Sequence, residues 1–137
     1  MTQISFYSLS KGDEDTRLQF ACRLVEKAFS LGHKIFIQVE DEQQQRLVDD
    51  LLWQFKASSF IPHAVTGEGT EAIEIGLASS PSHQDVLINL SAKQCEQHQQ
   101  FKRINEIVGP DEDSLATGRQ IYRFYQTQGF KPDNHKV

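Results

Sequence analysis

The sequence predicts an α/β fold: a three-layer, open, largely parallel sheet with helices on both faces, Rossmann-like in outline. Three observations lead there. Short β-prone runs alternate with stretches whose apolar residues recur at helical spacing. Two of those runs, Ile35-Phe36-Ile37-Gln38-Val39 and Asp85-Val86-Leu87-Ile88-Asn89-Leu90, are apolar almost throughout, as strands covered on both sides are. The chain has 137 residues, which suits one domain spanning 1–137.

In order along the chain, Ile4-Ser5-Phe6-Tyr7-Ser8-Leu9 is a first strand, and Lys11-Gly12-Asp13 breaks it. A helix over about 14–31 follows, because Leu18, Cys22, Val25 and Phe29 form one stripe, and Gly32 closes it. The strand 35–39 comes next. Asp41 caps a second helix over about 42–55, with apolar residues Leu47, Val48, Leu51, Leu52 and Phe55. The run 60–65 contains Pro62, which makes it an edge or irregular strand. A turn at 66–70, a short strand at 72–77 and a loop at 79–84 lead to the strand 85–90. Residues 93–100 read as a short helix and 104–109 as a strand ended by Pro110. Asp111-Glu112-Asp113 opens a last helix to about residue 128, its acids matched to the helix dipole. Gly129 ends it, and the tail after Phe130 is polar.

Composition narrows the function. No apolar run approaches the ~18 residues a membrane span needs, and the first residues lack the pattern of a signal peptide, so the expected location is the cytoplasm. Net charge is −5, the wrong sign for a general nucleic-acid binder, whose affinity comes mostly from phosphate contacts. The charge is uneven. Residues 1–92 hold 7 Lys and Arg against 13 acids, and residues 93–137 hold 7 against 6. The C-terminal third therefore suits a local site for an acidic ligand. Cys22 and Cys95 are far apart in sequence and read as two reduced thiols.

Catalytic and cofactor signatures are missing. The turn after the first strand, where a phosphate would sit in such a fold, carries one glycine and three consecutive acids, Asp13-Glu14-Asp15. Gly67-Glu68-Gly69 follows a weak strand and reads as a turn. Cys95-Glu96-Gln97-His98 has ligand-like spacing, but a structural zinc needs four ligands, and a polar helix surface explains it. No catalytic residue, cofactor site or metal site is expected.

Two binding features remain. Trp53 points roughly 170° away from the centre of its helix's apolar stripe, which places the one Trp of the chain on the solvent side. With Phe60 it forms a candidate anchor for a partner protein; the alternative is a Trp folded onto a neighbouring loop. On the last helix, Arg119, Tyr122 and Arg123 share one edge, and Gly118 leaves room beside them. An Arg fork beside a Tyr suits the acidic end of a peptide, whereas snorkelling surface arginines are the plainer account.

These pieces also carry a resemblance. Phe6-Tyr7, the run Phe36-Ile37-Gln38-Val39-Glu40-Asp41-Glu42, Leu51-Leu52-Trp53, Ser59-Phe60-Ile61-Pro62-His63, Gly67-Glu68-Gly69, Asp85–Leu90 and the closing pattern Arg119, Tyr122, Tyr125, Gly129-Phe130 stand in one order and spacing. In that order the chain resembles the chi subunit family of bacterial DNA polymerase III holoenzyme over almost its full length. The resemblance implies a non-catalytic accessory subunit of the clamp-loader complex. It implies pairing with the psi subunit, which joins it to the clamp loader. It also implies binding to the acidic C-terminal tail of single-stranded DNA-binding protein, so that DNA is reached only indirectly. Some members partner an iron–sulfur helicase. On this basis Trp53 and Phe60 match the psi or helicase patch, and Arg119 and Tyr122 match the tail pocket. The chain is one residue shorter between Asp113 and Arg119, Ala116 lies near where relatives have a Lys, and Gly109 replaces a bulkier apolar residue. Arg123 or Lys102 is then expected to supply the missing positive charge. The competing class is a small nucleotide- or phosphate-binding α/β enzyme.

Overall fold

A computed structural model describes residues 2–54, 63–65, 73–77, 85–93 and 101–137, with the backbone alone for Trp53 and for 63–65. The strands are β1 (Gln3–Ser8), β2 (Ile35–Gln38), β3 (His63–Val65), β4 (Ile73–Gly76), β5 (Val86–Asn89), β6 (Arg103–Val108) and β7 (Asp133–Lys136). The helices among the described residues are α1 (Glu14–Ser30), α2 (Glu42–Gln54) and α3 (Glu112–Thr127). The strands form one sheet in the order β3-β4-β2-β5-β6-β1-β7, and every pairing is parallel. None of the helices is long and apolar enough to cross a membrane.

Each of the three described helices begins on an aspartate, as the sequence suggests for Asp41 and Asp111; Asp13, read only as part of the break after the first strand, caps α1 as well. The Asp13 carboxylate accepts the Thr16 N–H at 3.0 Å, Asp41 accepts that of Gln44 at 2.8 Å, and Asp111 accepts that of Ser114 at 3.0 Å. These bonds hold the exposed carboxyls of Asp13 and Asp111 below the usual range. Gly12, just before the first cap, has φ +107°, and a Cβ there would lie 2.7 Å from the Thr16 side chain. The one glycine of the first turn thus serves the start of α1.

The sheet separates two cores, because successive strand residues face opposite sides. Leu18, Ala21, Cys22 and Val25 of α1 and Val48 and Leu52 of α2 pack on Ile35, Ile37, Ile73, Ile75, Val86, Ile88 and Ile107. On the other face Ile121 and Tyr125 of α3 pack on Ile4, Phe6, Phe36, Leu87, Ile104 and Val108. Helices therefore cover both faces, as predicted. Arg17 ties α1 to the strand ends, donating to Ile107 O and Leu90 O, each at 2.9 Å, while its Nε meets Glu14 at 2.6 Å.

Two readings change and three fall outside. The polar tail after Phe130 holds an edge strand, β7, paired to β1 from Ser5↔Asp133 to Ser8↔Lys136. Leu47 is 47% exposed, so the buried stripe of α2 is narrower than its apolar residues suggest. The turn at 66–70, the loop at 79–84 and most of the helix at 93–100 lie outside the described residues.

Candidate functional site

The packing of α3 on β6 and β1 produces a groove. Gly118 favours it: a Cβ there would stand 3.0 and 3.1 Å from the Val108 methyls, so any other residue obliges Val108 to give way by a few tenths of an ångström. Beside this contact Phe6, Ser8, Val108, Leu115, Arg119, Tyr122 and Asn134 line an open groove of about 350 Å³. Its floor is apolar. The Phe6 and Tyr122 rings pack with centroids 5.1 Å apart, and Phe6 meets Tyr125 at 6.2 Å. The Tyr122 hydroxyl donates to Pro132 O and accepts from Asn134 Nδ2, both at 3.4 Å, which fixes the ring against the segment leading into β7.

Arg119 stands exposed at the rim, in no hydrogen bond or ion pair with a described residue. Its guanidinium is free to take a carboxylate in bidentate fashion. Leu115, one turn earlier and 38% exposed, supplies an apolar wall. Together these offer a charged fork next to an apolar slot.

The other proposed residues are placed differently. Arg123 is exposed one turn further along α3, outside the groove lining. Lys102 precedes β6, at the opposite end of that strand from Val108; at about 3.3 Å per residue the two are roughly 20 Å apart along the chain. Lys102 therefore does not compensate for Ala116 in this groove. Its charge acts on Asp85 instead. Trp53 lies on α2, its side chain outside the description, and Phe60, Cys95, His98 and Gly67-Glu68-Gly69 are also outside it. Among the described residues no three His, Cys, Asp or Glu side chains converge as a metal would require.

Sequence reasoning missed a polar row beneath α3. Gln38, Asn89 and Glu106 occupy neighbouring positions on β2, β5 and β6, all buried. Gln38 Nε2 donates to Asn89 Oδ1 at 3.2 Å, and Asn89 Nδ2 donates to both Glu106 oxygens at 3.0 and 3.1 Å. The Tyr125 hydroxyl donates to Glu106 Oε2 at 2.9 Å. Burial pushes the Glu106 carboxyl up to about 7, against these bonds and the charge of Arg17, which pull it down. Part of the signal was present: the apolar strands β2 and β5 each end on one polar residue, Gln38 and Asn89, and β6 carries Glu106 just before Ile107 and Val108.

Comparison with known proteins decides the family. The model of the family "DNA polymerase III chi subunit, HolC" matches residues 1–133. The chain belongs to the DNA polymerase III chi subunit family. The chi subunit of Pseudomonas aeruginosa is 36% identical over 139 residues, covering 100% of this chain and 98% of the relative. The chi subunits of Escherichia coli and Haemophilus influenzae are each 32% identical, covering 95% and 96% of this chain and 95% of each relative. The chain is thus a chi-type accessory subunit in DNA replication. Among solved structures it resembles the C-terminal domain of the DEAD-box protein Dbp5, with TM-score 0.66 and 10% identity over 98% of this chain and 90% of that one. At that identity the likeness concerns the fold alone, and it agrees with the Rossmann-like α/β reading.

Proposed function

We propose that this chi subunit is a non-catalytic adaptor in the cytoplasm. Its α3 groove takes the acidic C-terminal tail of single-stranded DNA-binding protein, and Trp53 and Phe60 take the psi subunit or an iron–sulfur helicase. Psi then links it to the clamp loader, so that coated template is tethered to the replicase. The observation that carries the tail reading is the unpaired Arg119 fork at the rim of an apolar groove floored by Phe6 and Tyr122. The tail's terminal carboxylate pairs with Arg119, and its apolar last side chain enters the slot between Tyr122 and Leu115. One exposed charge pair and one small slot give micromolar affinity, and several tails on one coated strand raise it by avidity.

A fluorescent peptide copying that tail tests the site. Binding falls at least tenfold in Arg119→Ala and weakens with salt, while Arg123→Ala and Lys102→Ala change it by less than threefold. Tail binding that survives Arg119→Ala would move the site elsewhere. The psi reading has its own readout, because Trp53 is the one Trp of the chain. Adding psi shifts Trp53 emission to the blue, and the shift is the same in Arg119→Ala. An unchanged spectrum in a complex shown to form by gel filtration would remove Trp53 from the psi interface.

A further inference from the structure

The face of the sheet opposite the groove carries a second hollow, beside α1. The way the chain reverses there explains it. α1 runs back along the sheet and stops at Leu31, Gly32 turns the chain with φ +87°, and His33-Lys34 leads into β2. β6 starts at the same end with Lys102-Arg103. The end of one helix and the starts of two strands thereby bring cations together on an acidic protein. Lys27, His33 and Arg103 ring a hollow of about 90 Å³ whose walls include Leu24, Leu31 and Val86. Among the described residues no carboxylate lines it. Asp85, which precedes the wall residue Val86, is committed: its Oδ2 accepts the Lys34 N–H at 3.1 Å and meets His33 Nδ1 at 3.2 Å. Lys27 and Arg103 form no ion pair with a described residue; Arg103 donates only to the neutral Gln3 Oε1, at 3.2 Å. Leu31 is 67% exposed at the rim, an apolar surface that folding leaves to water.

From this arrangement we infer that the hollow between Lys27, Leu31 and Arg103 is a second docking point, for an acidic peptide segment carrying one apolar side chain. The apolar side chain fills the hollow against Leu24 and Leu31, and flanking carboxylates pair with Lys27 and Arg103. Charge complementarity selects the sign of the partner, since these cations stand out on a chain of net charge −5. The shape selects a peptide over a nucleic-acid strand. A strand needs a track of cations and open aromatic faces for its bases. Here the cations circle a single small hollow of mixed polar and apolar lining, and the ring that lines it, Tyr7, is already packed between Phe20 at 5.5 Å and His135 at 5.0 Å. The site lies across the sheet from the α3 groove and does not depend on the reading of that groove.

The test uses the full chain and a fluorescein-labelled peptide of two aspartates, a leucine and two aspartates. The peptide is amidated, so that it has no terminal carboxylate for Arg119. Salt-sensitive micromolar binding is expected, at least tenfold weaker in Lys27→Glu/Arg103→Glu, at least fivefold weaker in Leu31→Asp, and unchanged in Arg119→Ala. All four side chains are exposed, and circular dichroism checks that the variants stay folded. Absence of binding, or wild-type affinity in both hollow variants, overturns the inference. So does an oligothymidylate that binds as tightly as the peptide and is lost in the same variants, because the face then reads phosphate. Loss of the free-ended tail in Arg119→Ala with none of these effects would leave the groove standing and remove the hollow.

Discussion

At Gly118 the helix backbone lies so close to Val108 that a single added carbon would meet both methyls. A second methyl layer has nowhere to go except into the groove or against β6. Gly118→Val therefore lowers stability by about 2 kcal/mol, the usual cost of overpacking a close contact, even though a helical glycine is itself unfavourable. The same substitution narrows the groove beside Arg119 and weakens the tail peptide at least fivefold. Urea unfolding and peptide titration on one preparation separate the two effects, and full retention of binding would show that the groove does not reach Gly118. A different residue property concerns Cys22. It is buried between α1 and the sheet, and burial pushes its thiol up to about 12, so the reactive thiolate is scarce at pH 8. Alkylation followed by peptide mass mapping leaves Cys22 unmodified until denaturant is added.

Among the elements, β7 shows best what the sequence conceals. Asp133-Asn134-His135-Lys136 has no apolar alternation and every residue is exposed, yet it is a strand because β1 offers an edge to pair with. Its polarity suits an edge, where charge discourages pairing with other chains. Val137 donates to Ser8 O at 2.9 Å and accepts from Ser10 N at 3.1 Å, so the alternate residue His135 also turns its backbone toward β1 while Lys136 turns outward. His135→Pro removes a ladder bond and costs about 1–3 kcal/mol, whereas Lys136→Pro costs less than about 1 kcal/mol. Equal losses in urea melts would mean that the edge pairing carries little stability. The contrast with other elements is physical. α1 was legible from its apolar stripe, α2 from its stripe and the Asp41 cap, and α3 from the acids at its start, because these are local signals, and Arg119 and Tyr122 came together because three residues apart is one helical turn. Lys102 was misplaced because charge alone does not say which end of a strand a residue occupies. The row of Gln38, Asn89 and Glu106 went unread because the bonds that satisfy it run between strands far apart in sequence.

For the molecule as a whole, that row makes stability depend on pH in an unusual direction. A carboxyl ionises at about 4.5 in the unfolded chain, and Glu106 does so at about 7 in the fold. Between those values the folded chain keeps a proton that the unfolded chain has lost, so stability falls as pH rises through the window and levels off above it. The Glu106 contribution is fully present below about pH 4.5 and lost by about pH 8, a change of up to roughly 3 kcal/mol. Asp13, Asp111 and Asp85 act oppositely. Backbone and side-chain bonds hold the first two low, and the bonds of Asp85 to Lys34 and His33 outweigh its burial, so their stabilisation is lost as pH falls through the acid range. The protein should therefore be most stable in mildly acidic solution, with a urea midpoint that drops between pH 5.5 and 8. Glu106→Gln isolates the cause. Its amide accepts at one position and donates at the other, as the protonated carboxyl does, so the informative quantity is the slope rather than the stability at any one pH. A flattened slope between pH 5.5 and 8 assigns the dependence to Glu106. An unchanged slope would mean that Glu106 is ionised throughout, with Asn89, Tyr125 and Arg17 outweighing its burial, and the row would then be a fixed charge network holding α3 on the sheet.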